Sequence, residues 1–420
     1  ERRPLMERAP GAARGTRGTS AQPPEPMRLL TITSLFPNAV MPTQGIFIHQ
    51  RMRAVAAKGA QVRVIAPVPF VPPLPVPRAY ARWRAVPREE EIGGLRVLHP
   101  RYPLIPKVGM ALHAWGYARG IAAAARAEAE RFRPQLVDVH YLYPDACAAA
   151  TVARALKLPY VCSARGSDVK LLARFPSIRR RIVRALEGAA AVVAVSHDLA
   201  REMRALALTE RPVHVIPNGV DPERFRPRPK AEARRDLGLP AAGRIAVCVA
   251  NLREEHGQSL LVRAMARPGT PPNLRVYLVG DGPDEASLRH LVASLGVDDR
   301  VVLAGRVDHD RVALWFSAAD VSVLLSDREG CPNVVLESLA CGTPCIGSDL
   351  PEMREVIPGP PQGRTVSRDP DAVAAALAGA VERPPGEAHG LSVAARTWGD
   401  VADEVLACFR EALSQEPRSG

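Results

Sequence analysis

Short apolar, β-branched runs recur along the chain, each followed by a stretch with helical spacing or by a loop broken with proline and glycine. The first run, Leu29-Leu30-Thr31-Ile32-Thr33, ends at a Pro/Gly-containing loop from Pro37 to Gly45. A helix-like stretch over 47–58 follows, Gly59 stops it, and Val62-Arg63-Val64-Ile65 begins a second strand. The same alternation passes through 136–139, 160–162 and 191–195, where nearly every position is apolar, as in a parallel sheet covered on both faces. One Rossmann-like domain is therefore predicted over 27–215. Residues 216–243 contain Pro-Asn-Gly-Val-Asp-Pro and then a Pro/Arg-rich stretch with little periodicity, and read as a linker. The rhythm restarts at 245–249, 275–279, 301–303 and 321–324, which predicts a second Rossmann-like domain over 244–385. Residues 386–420 are predicted to hold one helix, over 401–413, that crosses back to the N-terminal domain.

Composition adds three constraints. A chain of 420 residues with 47% hydrophobic and 24% charged side chains is too long for one compact core and rich enough for two. The net charge of +12 is uneven: residues 1–220 hold 33 Lys+Arg against 15 Asp+Glu, whereas the remainder holds 23 against 29. An anionic partner of the surface, either a membrane or a phosphorylated acceptor, is therefore expected at the first half. Nucleic acid shares that sign but is excluded, because basic and aromatic residues do not interleave and no nucleic-acid module is present. The seven cysteines are scattered without a C-x-x-C pair, which reads as buried reduced thiols in the cytoplasm. No run of eighteen apolar residues is present, and residues 1–26 read as a disordered tail without the apolar segment of a secretory signal.

The strongest chemical signal is Glu329-Gly330-Cys331-Pro332-Asn333-Val334-Val335-Leu336-Glu337, followed by Ala340-Cys341-Gly342-Thr343-Pro344. It lies just after a predicted strand, and a helix beginning at Asn333 would offer unpaired backbone N–H groups and a positive dipole end to an anion such as a diphosphate. Glu329 on the loop can accept hydrogen bonds from sugar hydroxyls; Glu337, placed about two turns into the helix, can bind a vicinal diol such as ribose. The plainer alternative is that Glu329 caps a helix and Glu337 lies on a solvated face.

This segment resembles the donor signature of the retaining glycosyltransferases of family four, which have the GT-B fold. Other matches follow the family's order: S-L-F-P-N-A-V-M-P-T-Q-G-I-F at 34–47, H-Y-L-Y-P-D at 140–145, R-G-S-D-V at 165–169, V-I-P-N-G-V-D at 215–221 and V-G-D-G-P at 279–283. The resemblance spans about 28–385 and is nearest to bacterial enzymes that build cell-surface polysaccharides. It implies two Rossmann-like domains facing each other across a cleft, a UDP- or GDP-linked sugar as co-substrate, no metal or other cofactor, and a saccharide or lipid-linked saccharide as acceptor. By the same resemblance Glu329 contacts the donor sugar, with Gly330 beside it, Glu337 holds the ribose, and amides near Asn333 and Val334 hold the diphosphate. Gly45 approaches the donor from across the cleft, where a side chain would collide with the phosphates. His140 stands beside the reacting sugar, and Gly280 and Gly282 lie near the nucleotide. Arg165 and Asp168 take a slot where many relatives have His in place of Arg; either an acceptor or phosphate contact or a mutual ion pair fits them. The implied reaction is transfer with retention, with the protein at the inner face of a bacterial membrane.

One segment departs from the pattern. Where the family usually reads G-R-L-x-x-x-K-G, this chain has Ala250-Asn251-Leu252-Arg253-Glu254-Glu255-His256-Gly257. Asn251 stands in the Arg slot and His256 in the Lys slot, with Arg253 two residues from the usual cation. This weakens the expected grip on the departing phosphate and leaves open a non-catalytic sugar-nucleotide or glycan-binding protein on the same fold. Asp308-His309-Asp310 and Asp369-Pro370-Asp371 precede helical stretches and read as helix caps rather than metal ligands. The run 178–186 places Ile178, Ile182, Ala185 and Leu186 on one helical face with arginines elsewhere, which suits an anionic membrane or an ordinary surface helix. The proline-rich stretch 68–77 with Tyr80 and Trp83 reads as a surface loop, either touching acceptor or lipid or simply connecting.

Overall fold

The computed structural model describes residues 25–104, 110–382 and 396–414. The tail expected over 1–26 lies, apart from its last two residues, outside the described residues. The rest forms two lobes, each around its own sheet. The first sheet has eight strands in the order Val213–Val215, Ala191–Ala194, Tyr160–Ala164, Leu136–His140, Arg28–Ile32, Gln61–Ile65, Leu95–Leu98, Glu89–Ile92. All neighbours pair in parallel except the last two, which form an antiparallel hairpin closed by Gly93 and Gly94, both at positive φ. The second sheet has six parallel strands ordered Val301–Gly305, Leu274–Val279, Arg244–Val249, Val321–Leu324, Cys345–Ser348, Gly363–Val366.

Helices cover both faces of each sheet, which is why the central strands are apolar on nearly every residue. On one face of the first sheet the helix Pro176–Glu187 buries Ile178, Ile182, Ala185 and Leu186 in the core. Its apolar stripe is thus spent on the protein, and only the arginine-bearing side remains for any other partner. On the opposite face the helix Trp398–Ser414 packs against Ile46–Ala57, placing Trp398, Val401, Val405 and Phe409 beside Ile48, Met52 and Val55. The chain enters that helix by pairing with the interlobe crossing: Val220 N–H donates to Arg396 O at 2.8 Å, and a Cβ on Gly219 would meet the Thr397 carbonyl at 2.6 Å.

Residues 216–243, read as a linker, contain the helix Lys230–Asp236, whose Arg234 is buried against Asp320 at 2.9 Å and against the carbonyls of Ala318, Ala241 and Gly243. A single buried arginine holding four acceptors gives no periodic signal, so this element is invisible to pattern reading. All seven cysteines are free. Among the described residues no helix is long and apolar enough to cross a membrane.

Beneath the loop that follows the first strand, Asp145 is fully buried and accepts hydrogen bonds from the Ser34 N–H, the Ser34 hydroxyl at 3.0 Å and the Tyr117 hydroxyl at 3.0 Å. Burial outweighs those donors and raises its pKa from 3.8 to about 7. The native state therefore keeps this proton to higher pH than the unfolded chain does. The stability it contributes is complete below about pH 4 and is lost as pH rises through about 7. Asp145→Asn is expected to flatten part of the fall in melting temperature between about pH 4 and pH 7, measured by thermal denaturation across that range.

Candidate functional site

Open parallel sheets bind ligands outside the carboxyl ends of their strands, at the point where strand order reverses. In the first sheet that point lies between Arg28–Ile32 and Leu136–His140, and in the second between Arg244–Val249 and Val321–Leu324. The loops leaving these ends face one another and enclose a cavity of about 350 Å³. The first lobe contributes Thr43, Phe47, Gln50, Arg165 and Asn218; the second contributes Asn251, His256, Gly280, His309, Glu329, Gly330, Asn333, Val334 and Glu337. A second cavity of about 320 Å³ adjoins it, sharing Arg165, His256, Glu329 and Gly330 and adding Tyr141, Ser167, Lys170, Glu255 and Arg328.

The lobes touch backbone to backbone at Gly166 and Gly330. A Cβ on Gly330 would stand 1.9 Å from the Arg165 carbonyl, and one on Gly166 would stand 2.9 Å from the Gly330 Cα. Neither position tolerates a side chain without separating the lobes.

The helix Asn333–Ala340 begins at this contact, and no side chain caps its N-terminus. The Asn333 N–H turns back to Cys331 O at 2.9 Å, so that amide is not offered to the cavity. Its side chain reaches the other lobe instead, accepting from Asn218 Nδ2 at 2.8 Å. Glu337 stands one turn into the helix rather than two, because it follows the helix start at Asn333 by four residues, about one turn. Its Oε1 lies 3.2 Å from His309 Nε2, and Arg224 Nη1 meets His309 Nδ1 at 2.6 Å. His309 had been passed over as part of a capping Asp-x-Asp; of the two candidate caps, Asp369 accepts from the N–H groups of Asp371 and Ala372, whereas Asp308 makes no side-chain cap.

Glu329 accepts from Ser326 Oγ at 2.7 Å, while its own backbone N–H donates to Glu352 Oε1 at 2.8 Å. Burial, with Glu352 and Glu255 nearby, raises the Glu329 carboxyl from 4.5 to about 7, against the lowering effect of the Ser326 bond. At neutral pH it can thus both accept and donate. His256 Nδ1 lies 3.3 Å from the same serine, and burial pushes its pKa below 6.5. With an empty cavity the ring is therefore neutral; a bound anion would favour its charged form.

Arg165 is buried in the seam. It donates to Asn218 Oδ1 at 3.3 Å and to His140 Nδ1, and lies 5.6 Å from the Phe47 ring centroid. Among the described residues no carboxylate pairs with it directly. His140 Nε2 lies 2.9 Å from Asp138 Oδ2. Since Arg165 can only donate, Nδ1 of His140 is the acceptor and the ring proton sits on Nε2 toward Asp138. Burial lowers the His140 pKa to about 4 despite Asp138.

Several expectations are corrected here. His140 does not line either cavity: it is 1% exposed and stands behind Arg165, which occupies the position facing the cleft. Asp168 neither forms a side-chain ion pair with Arg165 nor lines either cavity. It is fully buried and accepts the N–H groups of Leu142, Arg165, Gly166 and Val169, pinning the turn. Gly45, at φ 60°, is required by its own loop, since a Cβ there would meet Leu35 O at 2.2 Å. Gly280 lines the cavity, but a Cβ on it would strike Ala250 O at 2.0 Å; Gly282 lies against Leu252 O, and its neighbour Asp281 lines the cavity instead. Arg253 is exposed and outside the lining. Asn251 and His256 both face the cavity.

Comparisons with known proteins agree with this geometry. Residues 44–224 match the model of Glycosyltransferase Family 4, and residues 243–383 match that of Glycosyl transferases group 1. A Bacillus subtilis (strain 168) protein, TuaC, whose name assigns it to glycosyl transfer in teichuronic acid biosynthesis, is 31% identical over 77% of this chain and 81% of its own. A 2-deoxystreptamine N-acetyl-D-glucosaminyltransferase of Streptomyces fradiae is 29% identical over 80% and 86%. In fold, the chain is similar to a sucrose-phosphate synthase from Thermosynechococcus elongatus, with a TM-score of 0.73, 22% identity and coverage of 92% and 98%. It is also similar to Anabaena HepE in complex with UDP and glucose, with a TM-score of 0.68, 17% identity and the same coverage. The fold is that of the GT-B glycosyltransferases. The chain belongs to glycosyltransferase family four and is related to bacterial enzymes of surface polysaccharide synthesis.

Because the lobes meet at Gly330 without room for a methyl group, Gly330→Ala is expected to open the cleft. Small-angle scattering checks this as a larger radius of gyration than the parent's, with unchanged far-UV circular dichroism.

Proposed function

We propose that this glycosyltransferase moves a hexose from a UDP- or GDP-linked donor, with retention and without a metal, to a saccharide or lipid-linked saccharide during surface polysaccharide or glycolipid synthesis. The observation that carries the reading is one cavity lined by Glu329, by Glu337 with His309, and by the uncapped N-terminus of the helix that begins at Asn333. A ribose suits Glu337, a diphosphate the helix end, and a sugar Glu329. The HepE structure was determined with UDP and glucose, which supports a donor of this class. The adjoining cavity beyond Glu329 then takes the acceptor.

The reaction must stabilise charge on the departing diphosphate, and fixed dipoles and cations do that best in a water-poor site. Arg165 answers the loss of cations at Asn251 and His256. It is a buried guanidinium held by neutral partners, so a bound anion would offset the cost of its burial. The acceptor hydroxyl attacks from the face the diphosphate leaves, and the reaction requires no protein nucleophile. Glu329, able to accept or donate at neutral pH, orients the sugar. The alternative of a non-catalytic binding protein finds no support in relatives that are named as transferases. The arginine-bearing side of Pro176–Glu187 and the basic first half are available for an anionic membrane, which suits a peripheral position at the inner membrane face.

A thermal-shift screen of UDP, GDP and ADP, alone and as sugar conjugates, is expected to show stabilisation by the uridine or guanosine series, because a ligand bound only to the folded state raises its melting temperature. With the matching donor, the anomeric proton coupling of the product reports retention by NMR. Arg165→Ala is expected to lower turnover by about a hundred-fold or more, as for loss of a donor to developing negative charge. Activity present only in His256→Lys and absent from the parent would overturn the proposed catalytic function of this chain and favour a degenerate site.

A further inference from the structure

Beside the glycine contact lies a second seam built of charges. Lys170, in the short helix Ser167–Lys170 of the first lobe, places Nζ 2.8 Å from Glu352 Oε1 and 2.9 Å from Asp198 Oδ2. Glu352 belongs to the helix Pro351–Val356 of the second lobe and is 0% exposed. The same Oε1 accepts the backbone N–H of Glu329 at 2.8 Å. One turn further along that helix, Glu355 crosses back and accepts the N–H groups of His197 at 3.0 Å and Asp198 at 2.7 Å, at the start of helix His197–Ala205.

A single carboxylate oxygen thus receives an ammonium from one lobe and the backbone of the Glu329 loop from the other. Each lobe has its own apolar core, and this seam joins the two through charge and backbone contacts. With the lobes together Lys170 is needed here: without it, Glu352 would be a buried carboxylate close to Asp198 and Glu329. Lys170 and Asp198 both belong to the first lobe, whereas Glu352 and the Glu329 N–H belong to the second, so any separation of the lobes would take the ammonium from Glu352 and admit water to it. We propose that Lys170 and Glu352 are positioning residues that form an interlobe latch, through which closure of the cleft sets the orientation of the Glu329 loop. The proposal rests on the role of Glu329 in sugar transfer given above.

Hydrogen exchange of the ligand-free full chain, followed by mass spectrometry on the peptide covering residues 325–332, reads the latch without any substrate. Lys170→Met is expected to speed exchange there by about ten-fold to a hundred-fold, the range for losing a charged hydrogen bond. Peptides of the central strands should be unaffected. Glu352→Gln keeps an acceptor for the Glu329 N–H but loses the charge that draws Lys170, so it should fall between Lys170→Met and the parent. Lys170→Arg should recover most of the protection. With the donor found in the thermal-shift screen, Lys170→Met should lower kcat by about the same factor and change KM for the acceptor little. Unchanged exchange over 325–332, or faster exchange everywhere, would overturn the latch. A raised acceptor KM with unchanged loop exchange would also overturn it, making Lys170 a simple acceptor contact. A loosened loop with unchanged kcat would overturn its positioning role. A parent protein that transfers no sugar would count against the proposed function instead, and the exchange data would still decide whether the latch exists.

Discussion

Two backbones press together across the cleft where Gly166 of one lobe meets Gly330 of the other, and no side chain fits between them. Arg165 precedes the first glycine and Glu329 the second. The contact therefore delivers a guanidinium and a carboxyl, from segments more than a hundred and sixty residues apart, to the wall between two cavities that both residues line. Cavity shape, the pairing of Asn218 with Asn333 and the reach of Lys170 to Glu352 all depend on how closely these glycines approach.

Charge in the site is held by geometry rather than by simple pairing. Arg165 points at the cavity because His140 and Asn218 accept from it, and His140 is itself held neutral by burial with Asp138 behind it. The chain Asp138, His140, Arg165 runs from the sheet toward the cleft, so the histidine acts through the arginine. Asp168 complements it from below by collecting four backbone N–H groups, which fixes the turn from which Arg165 emerges. On the facing lobe the Glu329 carboxyl is desolvated enough to titrate near neutrality. A buried cation and a carboxyl that titrates near neutrality line the same two cavities, which suits the proposed release of an anion with movement of one proton.

The glycines divide by what they permit. Gly166 and Gly330 allow two lobes to meet, whereas Gly45, Gly280 and Gly282 allow loops within a lobe to cross close to Leu35, Ala250 and Leu252. In sequence all five sit in motifs that approach the same site, and their residue type alone does not separate the two duties. The space around a hypothetical Cβ does.

The central strands, their parallel pairing and the position of the helix at Asn333 were legible in the sequence, because apolar runs, helical spacing and Gly/Pro breaks are local properties; the strands at 89–92, 95–98, 213–215, 345–348 and 363–366 were not. Glu329 and Glu337, singled out from their motif, and Asn251 and His256, singled out by the family resemblance, line one cavity, because their loops follow strands whose carboxyl ends face it. Local signals also missed an element: the Pro/Arg-rich crossing conceals a helix anchored by Arg234 on Asp320. Tertiary structure alone decided that His140 lies behind Arg165, that Asp168 serves the backbone, and that His309 joins Glu337. It also decided the partners Asn218–Asn333 and Lys170–Glu352, each separated by more than a hundred residues. The physical reason is that a side chain's facing is set by the docking of two lobes and the depth of its burial, neither of which leaves a periodic trace in the chain.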